Sequence, residues 1–335
     1  MSILILFVIG FGHLIPSFVS LRWLSSLIER EGFVFSPHFS GRTALFAIAA
    51  SNHNVNTSNV VLLPDYICNV VYLAFKKAGW TVVSYPSSYK MDYDWIKLQE
   101  QIEIHSPRIL LGASIYGSSG LIDVVLDEIK SKYLIEKDVK VVLDFAQDIS
   151  LINKLSPKLN SFVEVIVSFN DKSFIGMMGG GILSQKAYPS CKKMPKNLSW
   201  ILYKTFVRKI ICNLFSPFRN SFIKKDSSLY DFSYCQEFPY KFDLYAIQKL
   251  QVLLGIVGLY FLPYYHLRKK RFLKKHPKFI NTPHINTTSY VAYEDSQCCQ
   301  YVTNSKKKSY AKPDNLKESY MEKIFVVHNK GFFDS

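Results

Sequence analysis

The sequence predicts an α/β fold built on a mainly parallel β-sheet, and three observations carry the prediction. Between residues 40 and 185, short β-branched apolar runs alternate with longer segments of helical character. The runs are apolar on both faces, as strands covered by helices on both sides must be. Polar residues stand where the runs stop, along the rim where an open α/β sheet binds its ligands.

The elements follow in order. An N-terminal segment, residues 1–35, opens with the apolar stretch MSILILFVIGFGHLIPSFV. It has no basic n-region and no small-residue cleavage site, and His13 and Pro16 interrupt a run shorter than the ~20 apolar residues of a membrane span, so anchoring is not its expected role. A large domain over residues 36–205 follows. Its predicted strands are NVVLLP (59–64), TVVSYP (81–86), RILLGASIY (108–116), VKVVLDFA (139–146) and FVEVIVSF (162–169). Its predicted helices are RTALFAIAAS (42–51), CNVVYLAFKKAG (68–79), DYDWIKLQEQIE (92–103) and GLIDVVLDEIKSKYL (120–134).

A smaller C-terminal domain, residues 206–335, has a different character. LYKTFVRKIICNLFSPFRNSFIKK and DLYAIQKLQVLLGIVGLYFL read as helices, and the basic run HLRKKRFLKKHPK (266–278) follows the second. Beyond it, NSKKKSYAKPDNLKESY is polar and low in pattern, as a solvated segment would be.

Composition limits the partners. With 48% hydrophobic and 15% aromatic residues, the 335-residue chain has the material for a sizeable core. Against 26 Asp+Glu stand 41 Lys+Arg, a net charge of +15 that favours anionic partners. The rim residues point to a small anionic ligand, and no nucleic acid is expected. Six cysteines without paired CxxC spacing indicate neither a metal site nor a disulfide framework, which makes a reducing cytoplasm the expected location.

Three features of the rim carry chemistry. Asp144 ends a strand in apolar surroundings, where a carboxylate is costly without a cation, and VVLDFAQ supplies none. A bound, protonated pyridinium ring would pair with it; alternatively, Asp144 caps a following helix in a capping box with Gln147. Lys172 stands beyond the next strand, before Gly179-Gly180-Gly181. In a dry crevice its ammonium is disfavoured and the free amine becomes a nucleophile towards an aldehyde; in water it is an ordinary loop lysine. HFSGRTAL (38–45) places Ser40 and Gly41 before a helix whose free N–H groups attract phosphate, with Arg42 and Thr43 adding charge and a hydroxyl. An N-cap without a ligand would look the same.

Together, SGRTAL, LPDYICNVVYLAFKKAGWTVV, SIYGSSGLID, VVLDFAQD and SFNDKSFIGMMGGGIL, in this order across residues 36–185, resemble the DegT/DnrJ/EryC1/StrS aminotransferases. These are fold-type-I enzymes that use pyridoxal 5′-phosphate (PLP) on nucleotide sugars. The resemblance implies a three-layer PLP-transferase large domain, aspartate-aminotransferase-like, with an atypically short C-terminal domain. It matches Lys172 to the lysine that binds the cofactor covalently and shuttles a proton, and Asp144 to the partner of the pyridine nitrogen. Gln147 matches a glutamine near the phenolic oxygen, and Tyr66 lies in the segment that supplies the stacking aromatic. Ser168 matches a phosphate ligand, Gly41, Arg42 and Thr43 fall in the phosphate loop, and the glycines at 179–181 match a turn leading into the next strand.

The sequence departs from the family in three places. Asn170-Asp171 leads straight to Lys172, without the usual histidine and additional residue. Arg42 takes the place of a small hydroxyl residue, displacing Thr43 by one, and residues 280–335 do not match the part that completes the substrate site. The expected function is transfer of an amino group, with glutamate as donor, to a keto-sugar nucleotide in cell-surface polysaccharide or secondary-metabolite biosynthesis. A homodimer is implied. The alternative is a PLP-fold binding or assembly protein without turnover, and a third reading joins the apolar N-terminus and the basic run in a peripheral membrane module.

Overall fold

The computed structural model of the chain describes residues 17–65, 67–86, 93–114, 121–146, 148–169, 179–188, 192–193 and 244–260, and the strands at 289–292, 299–304 and 324–327. Helix α1 (Ser17–Ile28) leads into β1 (Val34–His38), α2 (Gly41–Asn52), β2 (Val60–Pro64), α3 (Asn69–Lys77) and β3 (Thr81–Tyr85). Then come α4 (Trp95–His105), β4 (Ile109–Ala113), α5 (Ile122–Leu126), α6 (Glu128–Glu136), β5 (Lys140–Asp144), β6 (Val163–Ser168), β7 (Gly180–Ser184) and α7 (Lys249–Tyr260).

Seven strands form one sheet in the order β1-β7-β6-β5-β4-β2-β3. The pairs from β3 to β6 are parallel; β7 runs antiparallel to both its neighbours, β1 and β6. Strict alternation along the strands divides the core into two clusters. Leu62, Leu110, Val141, Leu143, Val165 and Val167 pack against Leu24 of α1, Ile102 of α4 and Ile256 of α7. Val61, Leu63, Leu111, Val142 and Ile166 face the other way, against Ala44 and Ile48 of α2 and Phe75 of α3. The architecture is therefore three-layered, and each central strand is buried on both faces, which is why it reads as a continuous apolar run.

Local chemistry sets the helix ends. Ser40 caps α2, its Oγ accepting the Thr43 N–H at 3.1 Å, and Asp94 caps α4 by accepting from Ile96 and Lys97. Residues 120–134 do not form one helix: Asp127 accepts the N–H groups of Ile129 and Lys130 and restarts the chain as α6.

Two strands of the sheet escaped the sequence pattern. β1, VFSPH, contains Pro37 and is tolerated because it lies at the sheet edge. β7 begins with Gly180-Gly181, so those glycines belong to a strand, and only Gly179, at φ 95°, does the work of a turn. The C-terminal part holds a second, three-stranded antiparallel sheet of β8 (Ser289–Ala292), β9 (Cys299–Asn304) and β10 (Ile324–Val327), which its low-pattern sequence did not predict. The predicted helix at 202–225 lies outside the described residues, whereas the apolar one after it is α7. Among the described residues, no helix is long and apolar enough to cross a membrane.

Candidate active site

The carboxyl ends of β4, β5 and β6 and the amino end of α2 converge on one rim. Asp144 closes β5 and pairs in register with Ile166 of β6, two residues before Ser168 closes that strand. An acid and a hydroxyl thus stand on adjacent strands at the same edge.

Asp144 is 8% exposed. Its Oδ1 accepts the Ala146 N–H at 2.9 Å, and its backbone carbonyl accepts both the N–H and the hydroxyl of buried Ser114 from the end of β4, at 3.0 and 3.1 Å. These bonds fix the strand end from two sides. Asp144 is not a helix cap, because the 3-10 helix that follows, Ile149–Lys154, is capped by Asp148, whose Oδ1 accepts the Ser150 N–H at 3.0 Å. The capping-box alternative is overturned: a second acid four residues on does that work.

Ser168 meets the amino end of α2. A Cβ added to Gly41 would lie 3.1 Å from Ser168 Cβ. One added to Gly180 would lie 2.4 Å from the Val167 carbonyl oxygen and 2.9 Å from the Gly41 nitrogen, so only glycine permits the approach of β7 to the start of α2. Ser40 also bridges to Gly179 in a parallel pairing. Thr43 is fully buried with its Oγ1 2.9 Å from Ser40 Oγ, so this hydroxyl is engaged in the cap. Arg42 is partly exposed, and its buried Nε has no hydrogen-bond partner among the described residues. The amino end of α2 and the Ser168 side chain thus lie together, a cradle suited to an anion.

One residue of this region escaped the sequence reading. Gln251, 1% exposed on α7, donates from Nε2 to the Phe39 carbonyl at 3.0 Å and accepts the Gln248 N–H at 2.8 Å. The Phe39 N–H donates in turn to the Tyr245 carbonyl at 3.1 Å. The α7 helix and the residues just before it therefore brace Phe39, two positions before Gly41. The available signal was a single amide in a helix that is apolar from Val252 to Leu259.

An aromatic pair walls the rim on the β3 side. Tyr85 and Tyr93 meet edge to face at 5.3 Å, with hydroxyls donating to the carbonyls of Leu111 and Ala113. Burial pushes both phenols well up, and the carboxylate of Asp65 adds to this in each, so both stay protonated. His38, buried at the end of β1, is pushed down by burial and donates from Nδ1 to the Ser36 carbonyl. Tyr66, Gln147 and Lys172 lie outside the described residues.

This architecture is shared with known enzymes. The chain is similar to a protein from Bacillus cereus described as a PLP-dependent aminotransferase: 14% identity, 83% of this chain and 68% of that one, TM-score 0.51. The fold is that of the PLP-dependent aminotransferases. It is also similar to a DegT DnrJ EryC1 StrS aminotransferase from Brucella abortus, at 13% identity over 90% of this chain and 74% of that one, TM-score 0.52. S. venezuelae DesV, solved with a ketimine intermediate, matches at 12% identity over 88% and 70%, TM-score 0.51. No protein-family model and no curated protein matches the sequence. At these identities the likeness is one of architecture, and the three-layer aminotransferase-like large domain expected from sequence is the one observed.

Proposed function

We propose that this chain is a PLP-dependent aminotransferase that moves an amino group from a donor such as glutamate to a keto-sugar nucleotide. The observation that carries the proposal is the buried acid at the end of β5 one strand away from the anion cradle at the end of β6. Their chemistry fits the two ends of the cofactor. The cradle offers the amino end of α2 and Ser168 and leaves no room for a Cβ at 180, and Arg42, whose buried Nε has no partner among the described residues, is the second residue of that helix. When bound, PLP supplies an electron sink for the bonds at the amino-bearing carbon.

The chain's own residues would divide the work. Ser168, Arg42 and the N–H groups at Gly41 would hold the phosphate, with Thr43 keeping the Ser40 cap in place. Asp144 would hold a proton on the ring nitrogen, oriented by the Ala146 N–H. Lys172 would supply the amine that tethers the cofactor and then carry a proton, while Tyr66 stacks on the ring and Gln147 meets its phenolic oxygen. Chain length supports the role of Lys172: it follows Phe169 by three residues, so its Cα lies within about 11 Å of that rim position. A homodimer in the cytoplasm, producing amino sugars for surface polysaccharide or a secondary metabolite, completes the proposal.

The purified chain incubated with PLP should turn yellow, and borohydride should fix the cofactor on the peptide containing Lys172, as read by mass spectrometry. Adduct on another lysine, or none, overturns the proposal. Lys172→Ala should abolish the adduct. Colour that persists with every amino donor, with no keto acid released, would instead identify a cofactor-binding protein without turnover.

A further inference from the structure

The outward face of α1 is apolar where a surface helix is normally polar. Its inner face is satisfied: Leu24 and Ile28 are fully buried. Yet Phe18 is 73% exposed, Val19 and Trp23 are each 41% exposed, and Arg22 stands exposed between them. Tyr260, the last residue of α7 and 58% exposed, completes the patch. Its ring lies edge to face with Trp23 at 5.8 Å, and the Trp23 indole N–H donates to its hydroxyl at 3.3 Å.

Two unusual sequences adjoin this patch. The chain enters α1 at Ser17, six residues or about 9 Å of helix from Trp23, and the preceding residues are MSILILFVIGFGHLIP. It leaves α7 at Tyr260 itself, followed by FLPYY and then HLRKKRFLKKHPK, with seven Lys or Arg in thirteen residues. The exposed Trp-Tyr-Phe group is thus flanked in sequence by an apolar stretch directly before Ser17 and by a dense basic run that starts six residues after Tyr260. Tryptophan and tyrosine favour the headgroup level of a bilayer, aliphatic and phenylalanine side chains the acyl boundary, and lysine and arginine clusters the anionic headgroups.

We propose that this end of α1 and α7 docks on an anionic phospholipid surface. A second copy of the chain fits the patch less well, because two chains of net charge +15 would bring their basic runs together. The inference stands on the surface alone and does not depend on the enzymatic proposal.

Flotation of the full chain with phosphatidylcholine vesicles, with and without phosphatidylglycerol, tests it. The protein should float with the anionic vesicles, remain behind with neutral ones, and be released by high salt. The double substitution Phe18→Ser with Trp23→Ser should weaken vesicle binding about tenfold or more while keeping a cooperative melting transition, lowered only by loss of the Trp23–Tyr260 contact. No flotation, or equal flotation of the variant, overturns the proposal. So does a wild-type dimer in light scattering that the same variant converts to monomer, because the patch is then covered by a second copy.

Discussion

Gly180→Ala tests whether the cradle is built by close approach of backbone. The added methyl would sit 2.4 Å from the Val167 carbonyl oxygen and 2.9 Å from the Gly41 nitrogen, neither of which is a side chain that can rotate away. An ordinary carbon–oxygen approach is about 3.3–3.6 Å, so β7 must retreat by about 1 Å from β6 or from α2. Retreat from β6 strains the ladder at Val167↔Gly181 and Ser168↔Gly180. Overpacking costs about 1–3 kcal/mol, and each weakened hydrogen bond about 1 kcal/mol more, so a loss of roughly 2–5 kcal/mol is expected. The ligand effect is separable. Titration with PLP and with pyridoxal, which lacks the phosphate, gives the phosphate contribution as a ratio of dissociation constants. Losing one charge-assisted bond, about 1.5–3 kcal/mol, should reduce that ratio by about 10-fold to 100-fold. Gly255→Ala is the control: its methyl meets only the side chains of Leu24 at 3.3 Å and Phe169 at 3.4 Å, and should cost little. A Gly180→Ala protein with wild-type stability and an unchanged ratio would refute the cradle.

Further outcomes follow from single contacts. Gln251→Leu leaves the buried Phe39 carbonyl and the Gln248 N–H without the amide that meets them; a loss of about 1–3 kcal/mol should be seen in urea unfolding, together with weaker PLP binding and unchanged far-UV circular dichroism. His38 is held by burial below its ordinary pKa. The unfolded chain, titrating near 6.5, therefore takes up the proton first, so stability falls as pH drops below about 6.5, and His38→Gln should flatten that part of the melting-temperature profile. Glu164 accepts from Lys140 at 3.0 Å, Tyr188 at 2.7 Å and Asn52 at 3.5 Å. Glu164→Gln should cost about 1–3 kcal/mol, less than a fully buried pair, because the Lys140 side chain is 35% exposed; a double-mutant cycle with Lys140→Met measures the coupling.

The parallel strands were legible because burial on both faces forces β-branched runs that nothing else in the chain imitates. VVLDF and VEVIVSF carry their own assignment. The antiparallel strand carried no such mark. Gly180 and Gly181 lack side chains because Val167, Gly41 and Phe35 occupy the space a side chain would need, so the contact that makes β7 possible also removes its sequence signature. β1 carried none either: VFSPH contains Pro37, which would weaken a central strand and is harmless at an edge. At the rim, Asp144 was legible as an acid ending a strand whose own sequence, VVLDFAQ, supplies no cation, but its rival role as a cap could be dismissed only once Asp148 was seen at the 3-10 helix. Gln251 acts across more than two hundred residues on Phe39, a relation no local spacing records.

Reversal of β7 also determines where a reactive side chain can stand. β6 leaves the sheet at its carboxyl edge, and an antiparallel partner must start at that same edge, whereas a parallel one would need a crossover of a dozen or more residues to the far side. The Phe169 N–H donates to the Gly179 carbonyl at 3.0 Å, so the end of β6 and the start of β7 meet at one point of the rim. That point lies between the strand that bears Asp144 and the helix that begins at Gly41. Under the proposed function, the lysine that tethers the cofactor comes from the sequence between β6 and β7. Moving the amine to the opposite edge of the sheet, as Lys172→Ala with Ser58→Lys at an exposed position just before the amino end of β2, should leave the phosphate preference intact while eliminating the borohydride-stable adduct. An adduct retained in that variant would show that proximity to the β6–β7 reversal is not what selects the lysine.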